Sequence, residues 1–575
     1  MLGIDVGGTF TDAVLVEDGR VTTAKVPTSA REEEAAVAAA RAVGARAPER
    51  FAHGTTTATN ALLERRGART AFVTNEGFEH LLHLRRQNRA HLYRPCAAHP
   101  EPLVPLERCH GVRGRLGPDG ELVPLDPGSL GDLGDPDAIA VCLLFSFRDP
   151  AHERAVADEL RRRHPGARVV ASHEVAPEFR EYERASTTVA DAYLGPVAGG
   201  YLDRLAAAAS AAGLPEPLVM LSSGGVATAG EAAAHPAAIL VSGPAAGVVG
   251  AGLVARLAGF EHALSFDMGG TSTDVCLLRD GRAERVSERI VGGLPIRVPS
   301  VDVHAVGAGG GSIVRRDVGG ALRVGPESAG ADPGPACYGR GGPPTVTDAN
   351  LLLGRVPREL PGGLVLDPAA ERALAGIPPE DVVEVVNAEM LRALRLVSVE
   401  RGHDPREHAL VAVGGAGPLH ACALADELEI PAVLVPAAAG VLSALGLVAS
   451  DERRDTVRSH VVPLAEAGEL PPEGEADLRY RGQSFEVTVP LGPDLAARFH
   501  AAHEERYGHA DPERELELVA VRTAEIRRGP HVELQVTQCY KIEGPATVEL
   551  EGSTVWVPAG WRGETGEHGT LVLTR

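Results

Sequence analysis

Asp5-Val6-Gly7-Gly8-Thr9-Phe10-Thr11-Asp12 and Asp267-Met268-Gly269-Gly270-Thr271-Ser272-Thr273-Asp274 are two copies of one octapeptide, identical at six of eight positions. Each copy runs into an apolar stretch, Ala13 to Val16 and Val275 to Leu278. Each therefore reads as strand, glycine turn, strand, with hydroxyls at the tip and a carboxylate on either side. The interval between them is about a domain and a half of ordinary size, which marks two related domains rather than a short-period repeat.

Working outward, apolar runs at Ala71 to Thr74, Ala138 to Phe145, Val169 to Ala171 and Leu218 to Leu221 predict strands, and Glu32 to Val43, Ala151 to Arg163 and Ser186 to Ala207 predict helices. This alternation indicates α/β layers. From about Asp451 the character changes: Arg479 to Val489 and Val548 to Val557 alternate like strands, with one helix around Leu495 to Tyr507, which predicts a mostly β C-terminal region.

At 575 residues the chain is too long for one core and can house a cleft. Hydrophobic residues at 44% and charged residues at 23% fit a folded, soluble protein. With 56 Lys and Arg against 78 Asp and Glu, the net charge of -22 argues against nucleic acid as a partner. Seven scattered cysteines form no CxxC pair, which fits reduced thiols in a cytoplasm. The glycine turn follows Met1 too closely to leave room for a secretion signal. Ile430 to Ser450 is uncharged and long enough to span a bilayer. Pro431, Pro436, Gly440 and Gly446 instead divide it into a buried strand (Ala432 to Val435), a turn and a packed helix or loop, so no membrane span is expected.

A glycine turn binds phosphate because backbone N–H groups can approach the anion, and threonine hydroxyls add donors. Gly7, Gly8, Thr9 and Thr11 offer one such surface, and Gly269, Gly270, Thr271 and Thr273 another. Asp5 and Asp267, with Asp12 and Asp274 next, suit Mg²⁺, a hard cation that takes one or two carboxylates together with phosphate oxygens. Either turn alone is better read as a tight hairpin satisfying its own backbone. Two matching copies favour opposed turns gripping one triphosphate.

These paired turns resemble the phosphate loops of the actin/hexokinase/Hsp70 ATPases. The resemblance implies an α/β fold of two ribonuclease H-like lobes around an interlobe cleft, a smaller mostly β C-terminal domain, and an adenosine-binding strand–glycine–helix element. Ala409 to His420 fits that element, with Gly414, Gly415 and Gly417 in the turn and Pro418 in the first helical turn. The implied domains are residues 1–180, 181–455 and 456–575.

Closer matches are to the hydantoinase A and 5-oxoprolinase family: His53 to Glu64, Glu181 to Thr188, Val301 to Ser312, Ala331 to Gly342 and Thr345 to Asn350, in the family's order. The segment after Asp455 is shorter than the family's, and no hydrolytic half is fused on. The resemblance implies a hetero-oligomer with a hydantoinase B-type subunit on a separate chain, using ATP with Mg²⁺ (or Mn²⁺). The phosphorylated substrate would be a cyclic amide or imide such as hydantoin, N-methylhydantoin or 5-oxoproline. Asp12 or Asp274 would serve as base or water-orienting group. The resemblance also implies, as the alternative enzyme reading, the ATP-using subunit of an acetone or acetophenone carboxylase, and a nucleotide switch without metabolic substrate is the alternative of another class.

Other residues carry two readings. His53, Thr55, Thr56 and Asn60 form a polar patch suited to a substrate amide or to local structure. Asp302 and His304, two apart on an expected strand, offer a metal or substrate contact or an ordinary hydrogen-bonded histidine. Gly307 to Ser312 has Ser where a dinucleotide fingerprint needs its third glycine, which argues against NAD. Glu178 to Arg184 reads as a solvated, ion-paired helix face, and His420 as a pocket-lining or packed histidine.

Overall fold

The computed structural model describes residues 1–575 except 361–363, 368, 537 and 551, and only the backbone of Leu360 and Leu364. β1 (Leu2–Val6), β2 (Phe10–Glu17) and β3 (Arg20–Pro27) form an antiparallel meander. β4 (Phe51–Thr55) returns parallel to β1 and feeds α1 (Thr57–Leu63). Residues 70–171 then build a separate five-stranded sheet. α2 (Glu181–Ala211) leads to β5 (Pro217–Met220), β6 (Val226–Thr228) and α3 (Ser242–Leu257).

The second octapeptide lies in the hairpin of β7 (Ala263–Met268) and β8 (Thr273–Arg279), which β9 (His304–Val306) extends. β10 (Ala409–Val413) runs parallel to β7 and feeds α4 (Gly417–Leu428). β11 (Ala432–Pro436) and α5 (Leu442–Ala449) follow. β12 (Glu452–Pro463), β13 (Glu475–Tyr480), β14 (Val487–Pro490) and β15 (Leu516–Arg527) come next, then β16 (Lys541–Glu543), β17 (Ala546–Leu550), β18 (Ser553–Val557), β19 (Arg562–Thr565) and β20 (Thr570–Thr574).

Two large sheets result. The first has the order β14-β13-β15-β12-β6-β5-β4-β1-β2-β3. In the second, β8-β7-β10-β11-β20-β19-β16 are neighbours, with β9 and the short strand Arg282–Ala283 on β8. β10 and β11 are buried at every position, as central strands covered on both faces must be, and hence read as unbroken apolar runs.

Between the sheets α3 and α5 cross in backbone contact. A Cβ on Gly446 would lie 1.9 Å from the Ala246 carbonyl oxygen, and one on Gly250 would lie 2.7 Å from that of Leu442. Glycine at both positions permits this approach. Val14, Val248, Val411, Leu442 and Leu445 bury themselves around the crossing and join both sheets to one core.

The structure corrects several expectations. The strand expected over Ala138 to Phe145 stops at Val141. Beyond it the Leu143 and Leu144 amides donate to Glu153 Oε1 and Asn75 Oδ1 instead of to a neighbouring strand. Arg479 to Val489 is the end of β13, a turn and β14. Val548 to Val557 is a hairpin, with Gly552 at φ +73° in its turn. The helix expected from Ser186 to Ala207 is longer, running from Glu181 to Ala211 through Pro196. The C-terminal region is β-rich and is divided between the large sheets: β12 to β15 extend the first, β16, β19 and β20 extend the second, and only the β17–β18 hairpin forms a small sheet of its own among the described residues. Ile430 to Ser450 is a strand and a turn as expected, and of the two alternatives for its last part, helix or loop, the structure has the helix; among the described residues no helix is long and apolar enough to cross a membrane.

The run from Glu178 to Arg184 is not a solvated face. Glu178, Glu183 and Arg184 are buried. Glu178 binds Arg522 at 2.5 Å and Arg297 at 3.0 Å, and Arg180 reaches Glu486 at 2.8 Å. Each partner lies far along the chain, so the segment fastens α2 to β14 and β15.

Candidate active site

In each octapeptide the strand register sets one carboxylate opposite the other, Asp5 across from Asp12 and Asp267 across from Asp274. The turns close with Gly7 N donating to Phe10 O and Gly269 N to Ser272 O, both at 3.0 Å. Gly8, Thr9, Gly270 and Thr271 are exposed at the tips. Thr11 and Thr273 are buried beneath them. Thr11 shares a 3.0 Å hydrogen bond with Thr28, and the Thr28 hydroxyl donates to Gly7 O at 2.8 Å. Thr273 donates to Ala308 O at 2.6 Å. These two threonines hold their turns from below.

The second turn has a further brace. Gly310 N and Gly311 N donate to Gly269 O and Gly270 O at 3.0 and 2.7 Å, and a Cβ on Gly309 would lie 2.7 Å from Thr271 N. The glycine run 307–312 thus presses backbone to backbone on the second turn. Thr347 donates to Gly310 O at 2.8 Å and fixes it in place. The density of glycines was the sequence signal for this close approach, but the sequence did not say what they approach.

The internal likeness extends past the octapeptides. β4 lies parallel to β1, and β10 parallel to β7, in equivalent positions. Each ends near a glycine that leaves room for a carboxylate: a Cβ on Gly54 would sit 2.5 Å from Asp5 Oδ1, and one on Gly414 would sit 2.5 Å from Asp267 Oδ1. Gly54 and Gly414 thus make the same room for a carboxylate from positions one residue apart in register, Gly54 opposite Asp5 and Gly414 just past Val413, which stands opposite Asp267.

The carboxylates are electrostatically strained. Burial, and then the charge of Asp12, push Asp5 up to about 7, and its buried Oδ1 has no hydrogen-bond partner. Burial also pushes Asp267 up to about 7, aided by Asp274 and, from the other hairpin, by Asp5 and Asp12. Asp274 rises to about 6 through burial, with Arg289 opposing, and Asp12 is raised by burial with Lys25 opposing. The two hairpins thus share one field of negative charge.

Two cations that the sequence reading passed over reach it. Lys25, in register with Asp12, places Nζ 2.5 Å from Asp12 Oδ1. Arg289, beside Asp274, spends its guanidinium on the Val301 and Val303 carbonyls at 2.8 and 2.7 Å. Lys25 had a sequence signal: it and Lys541 are the only lysines in the chain.

Among the described residues no three His, Cys, Asp or Glu gather tightly enough to hold a metal unaided. The donor set, paired carboxylates with one orphaned buried oxygen beside exposed glycine amides, nevertheless fits Mg²⁺, which keeps several waters and shares phosphate oxygens.

The remaining expected residues fall in two groups. Thr55, Thr56 and Asn60 lie beside the first hairpin: Thr56 reaches Val6 O at 3.5 Å, Asn60 Nδ2 donates to Thr56 at 3.2 Å, and Ser242 at the start of α3 donates to Thr55 O at 3.1 Å. Gly414 and exposed Gly415 lie beside the second hairpin, with Ala416 N donating to Met268 O at 3.0 Å and Gly417 opening α4. Four others face inward or elsewhere. His53 is fully buried, with Nε2 bonded to the Tyr201 hydroxyl at 2.8 Å, and burial depresses it to about 3. His420 is buried between Asn387 and Asn350 and likewise held near 3. Asp302 lies outside β9 and pairs with Arg401 at 2.5 Å, while His304 stands opposite Val275 in β8. A cavity of about 760 Å³ lies away from both hairpins, lined by Ser223, Arg297, Arg453 and Ile526 among others.

Family models describe the same territory. The Hydantoinase/oxoprolinase N-terminal region matches residues 1–164 and the Hydantoinase/oxoprolinase model residues 184–456. The caprolactamase subunit alpha of Pseudomonas jessenii is 32% identical across 100% of this chain and 99% of its own length. The crystal structure of ATP-dependent caprolactamase from that organism superposes with a TM-score of 0.87 at 31% identity, covering 100% of this chain and 99% of that one. The 5-oxoprolinase of Saccharomyces cerevisiae is 36% identical over 69% of this chain and 35% of its own. A nucleotide-free acetone carboxylase structure, 23% identical with a TM-score of 0.78 over 100% of this chain and 99% of that one, shares the fold. The chain belongs to the hydantoinase/oxoprolinase family.

Proposed function

We propose that this chain is the ATP-using subunit of a cyclic-amide hydrolase. The observation that carries the reading is the pair of equivalent hairpins whose carboxylates share one field, Asp267 being raised by Asp5 and Asp12 as well as by its own neighbour. Two such turns suit the two ends of one triphosphate. The first large sheet, which takes β1 to β4 from residues 1–180 and β5 and β6 from beyond them, would form one actin/hexokinase/Hsp70-like lobe and the second large sheet the other, with the strands after Asp451 completing both.

Gly7, Gly8 and Thr9 would hold phosphate oxygens from one side and Gly269, Gly270 and Thr271 from the other, with Thr11 and Thr273 bracing the turns. Gly414, Gly415 and Gly417 would leave bare backbone for adenosine. Asp5 and Asp267 would hold Mg²⁺ (or Mn²⁺), which, when bound, neutralises charge on the phosphate chain. Phosphoryl transfer needs chiefly positioning and charge stabilisation, and the hairpins supply both. Thr55, Thr56 and Asn60 would orient a lactam or imide so that its carbonyl oxygen meets the γ-phosphorus. The P–O bond to ADP breaks as the new P–O bond forms, and the activated ring carbon is left for water delivered with a partner subunit on a separate chain. Asp12 or Asp274 would take the ring N–H proton.

The test is phosphate release by the purified chain together with its partner, supplied with ATP, Mg²⁺ and in turn caprolactam, 5-oxoproline, hydantoin, or a ketone with bicarbonate. Stimulation by a cyclic amide supports the reading. Stimulation by ketone and bicarbonate alone replaces it with a carboxylase, and response to none of them points to a nucleotide switch.

A further inference from the structure

At the ends of β7 and β10 remote from the glycine turns, three histidines cluster. His262 immediately precedes β7 and His408 immediately precedes β10, and the strands are parallel with Ala263 opposite Ala409. The two histidines are thus neighbours across the ladder, and Ala409 N donates to His262 O at 3.1 Å. Residues paired in this way project to the same face. Their ring centroids lie 5.6 Å apart, and His403 stands 6.4 Å from His408.

The hydrogen bonding fixes what these rings present. His408 is 4% exposed, and its Nδ1 lies 2.8 Å from the Asp404 carbonyl oxygen, which can only accept. The His408 proton is therefore on Nδ1 and Nε2 carries a bare lone pair. That Nε2 is buried without a partner, and so is Nδ1 of His262. Two orphaned ring nitrogens on neighbouring residues leave a polar deficit of the kind folded proteins avoid. An imidazole that donates one N–H to a backbone carbonyl while its other nitrogen is free is also the arrangement that metal-ligating histidines adopt.

We propose that His262 and His408 are two ligands of a divalent transition cation of the zinc, nickel and copper class, for which imidazole is a suitable donor. No three ligands are gathered at one point among the described residues, so His403, half-buried and adjoining, completes the site by turning its ring, with water in the remaining position. The cation would tie together the entries of the strands that carry Asp267 and Gly414. Nothing in this argument depends on the nucleotide reading, and the site lies at the opposite end of those strands from the glycine turns.

The test uses the full chain, stripped with chelator and titrated with Zn²⁺ by calorimetry and with Co²⁺ by visible absorption. The expected result is one saturable site per chain, a Co²⁺ spectrum showing nitrogen ligation, and a melting temperature that rises with Zn²⁺ concentration. His408→Phe and His262→Gln should each weaken binding by more than about tenfold. His403→Asn, at a more exposed position, covers the case in which a buried variant fails to fold, and should also weaken binding. Absence of a saturable site, or affinity unchanged in His262→Gln and His403→Asn, overturns the proposal and leaves a packed histidine cluster.

Discussion

Asp267 and Gly414 fit together as a carboxylate and the space made for it: a methyl group on Gly414 would lie 2.5 Å from Asp267 Oδ1, and Gly414 itself has φ +81°. Gly414→Ala therefore meets a steric and a backbone penalty at once. The expected result is a loss of about 1–3 kcal/mol in stability with nucleotide affinity reduced at least tenfold, read by thermal melting and fluorescent ATP-analogue titration. Gly54→Ala, against Asp5, should do the same at the first hairpin.

Stability should depend on pH in an unusual direction. Asp5 and Asp267, raised to about 7 in the folded chain, bind protons there that the unfolded chain has released above about pH 4. Where the folded state holds more protons, stability falls as pH rises. The chain without Mg²⁺ should therefore lose melting temperature between about pH 5 and pH 8, and Mg²⁺ with an ATP analogue should recover most of it. Asp5→Asn and Asp267→Asn should each flatten the profile; an unchanged profile in both would contradict the assigned shifts.

Lys25 carries the mobile positive charge of the site, since Arg289 is committed to two backbone carbonyls. Lys25→Met should lower kcat by about 10²–10³-fold, the range seen when one stabilising donor is removed, with the KM for ATP changed only a few-fold. Lys25→Arg keeps the charge on a wider, planar head and should recover only part of the rate.

Glu178 ties Arg297 and Arg522 together inside the protein. Glu178→Gln leaves two buried guanidiniums short of a counter-charge, a change that costs about 3–5 kcal/mol when a buried pair is broken; Asp477 beside Arg522 at 2.9 Å should hold the loss to the lower end. Hydrogen exchange should quicken first in β14 and β15.

The parts legible in the sequence were those written as local patterns. The octapeptide repeat announced both hairpins, and unbroken apolar runs announced β10 and β11. Long-range partners were not legible. Glu178 looked solvated because its counter-ions stand at 297 and 522, and charge runs carry no mark of burial. The chain after Asp455 was recognisably β, but strand pattern alone cannot say which sheet an edge will join. Arg289 was missed because one arginine among many has no spacing to recognise, and Lys25 because its rarity marks the residue without saying which carboxylate it meets.

The glycine crossing of α3 and α5 has a mechanical consequence. Backbone meets backbone there, at Gly446 against Ala246 and Gly250 against Leu442, so the sheets have no slack to separate along the line between the helices. Any change in their relative angle must turn about that point, as scissor blades turn about a rivet. The turns at Gly8 and Gly270 are carried by β1 and β7, strands that pack on these two helices, so a rotation at the rivet moves both. A single methyl group at Gly446 would jam the joint without touching either glycine turn.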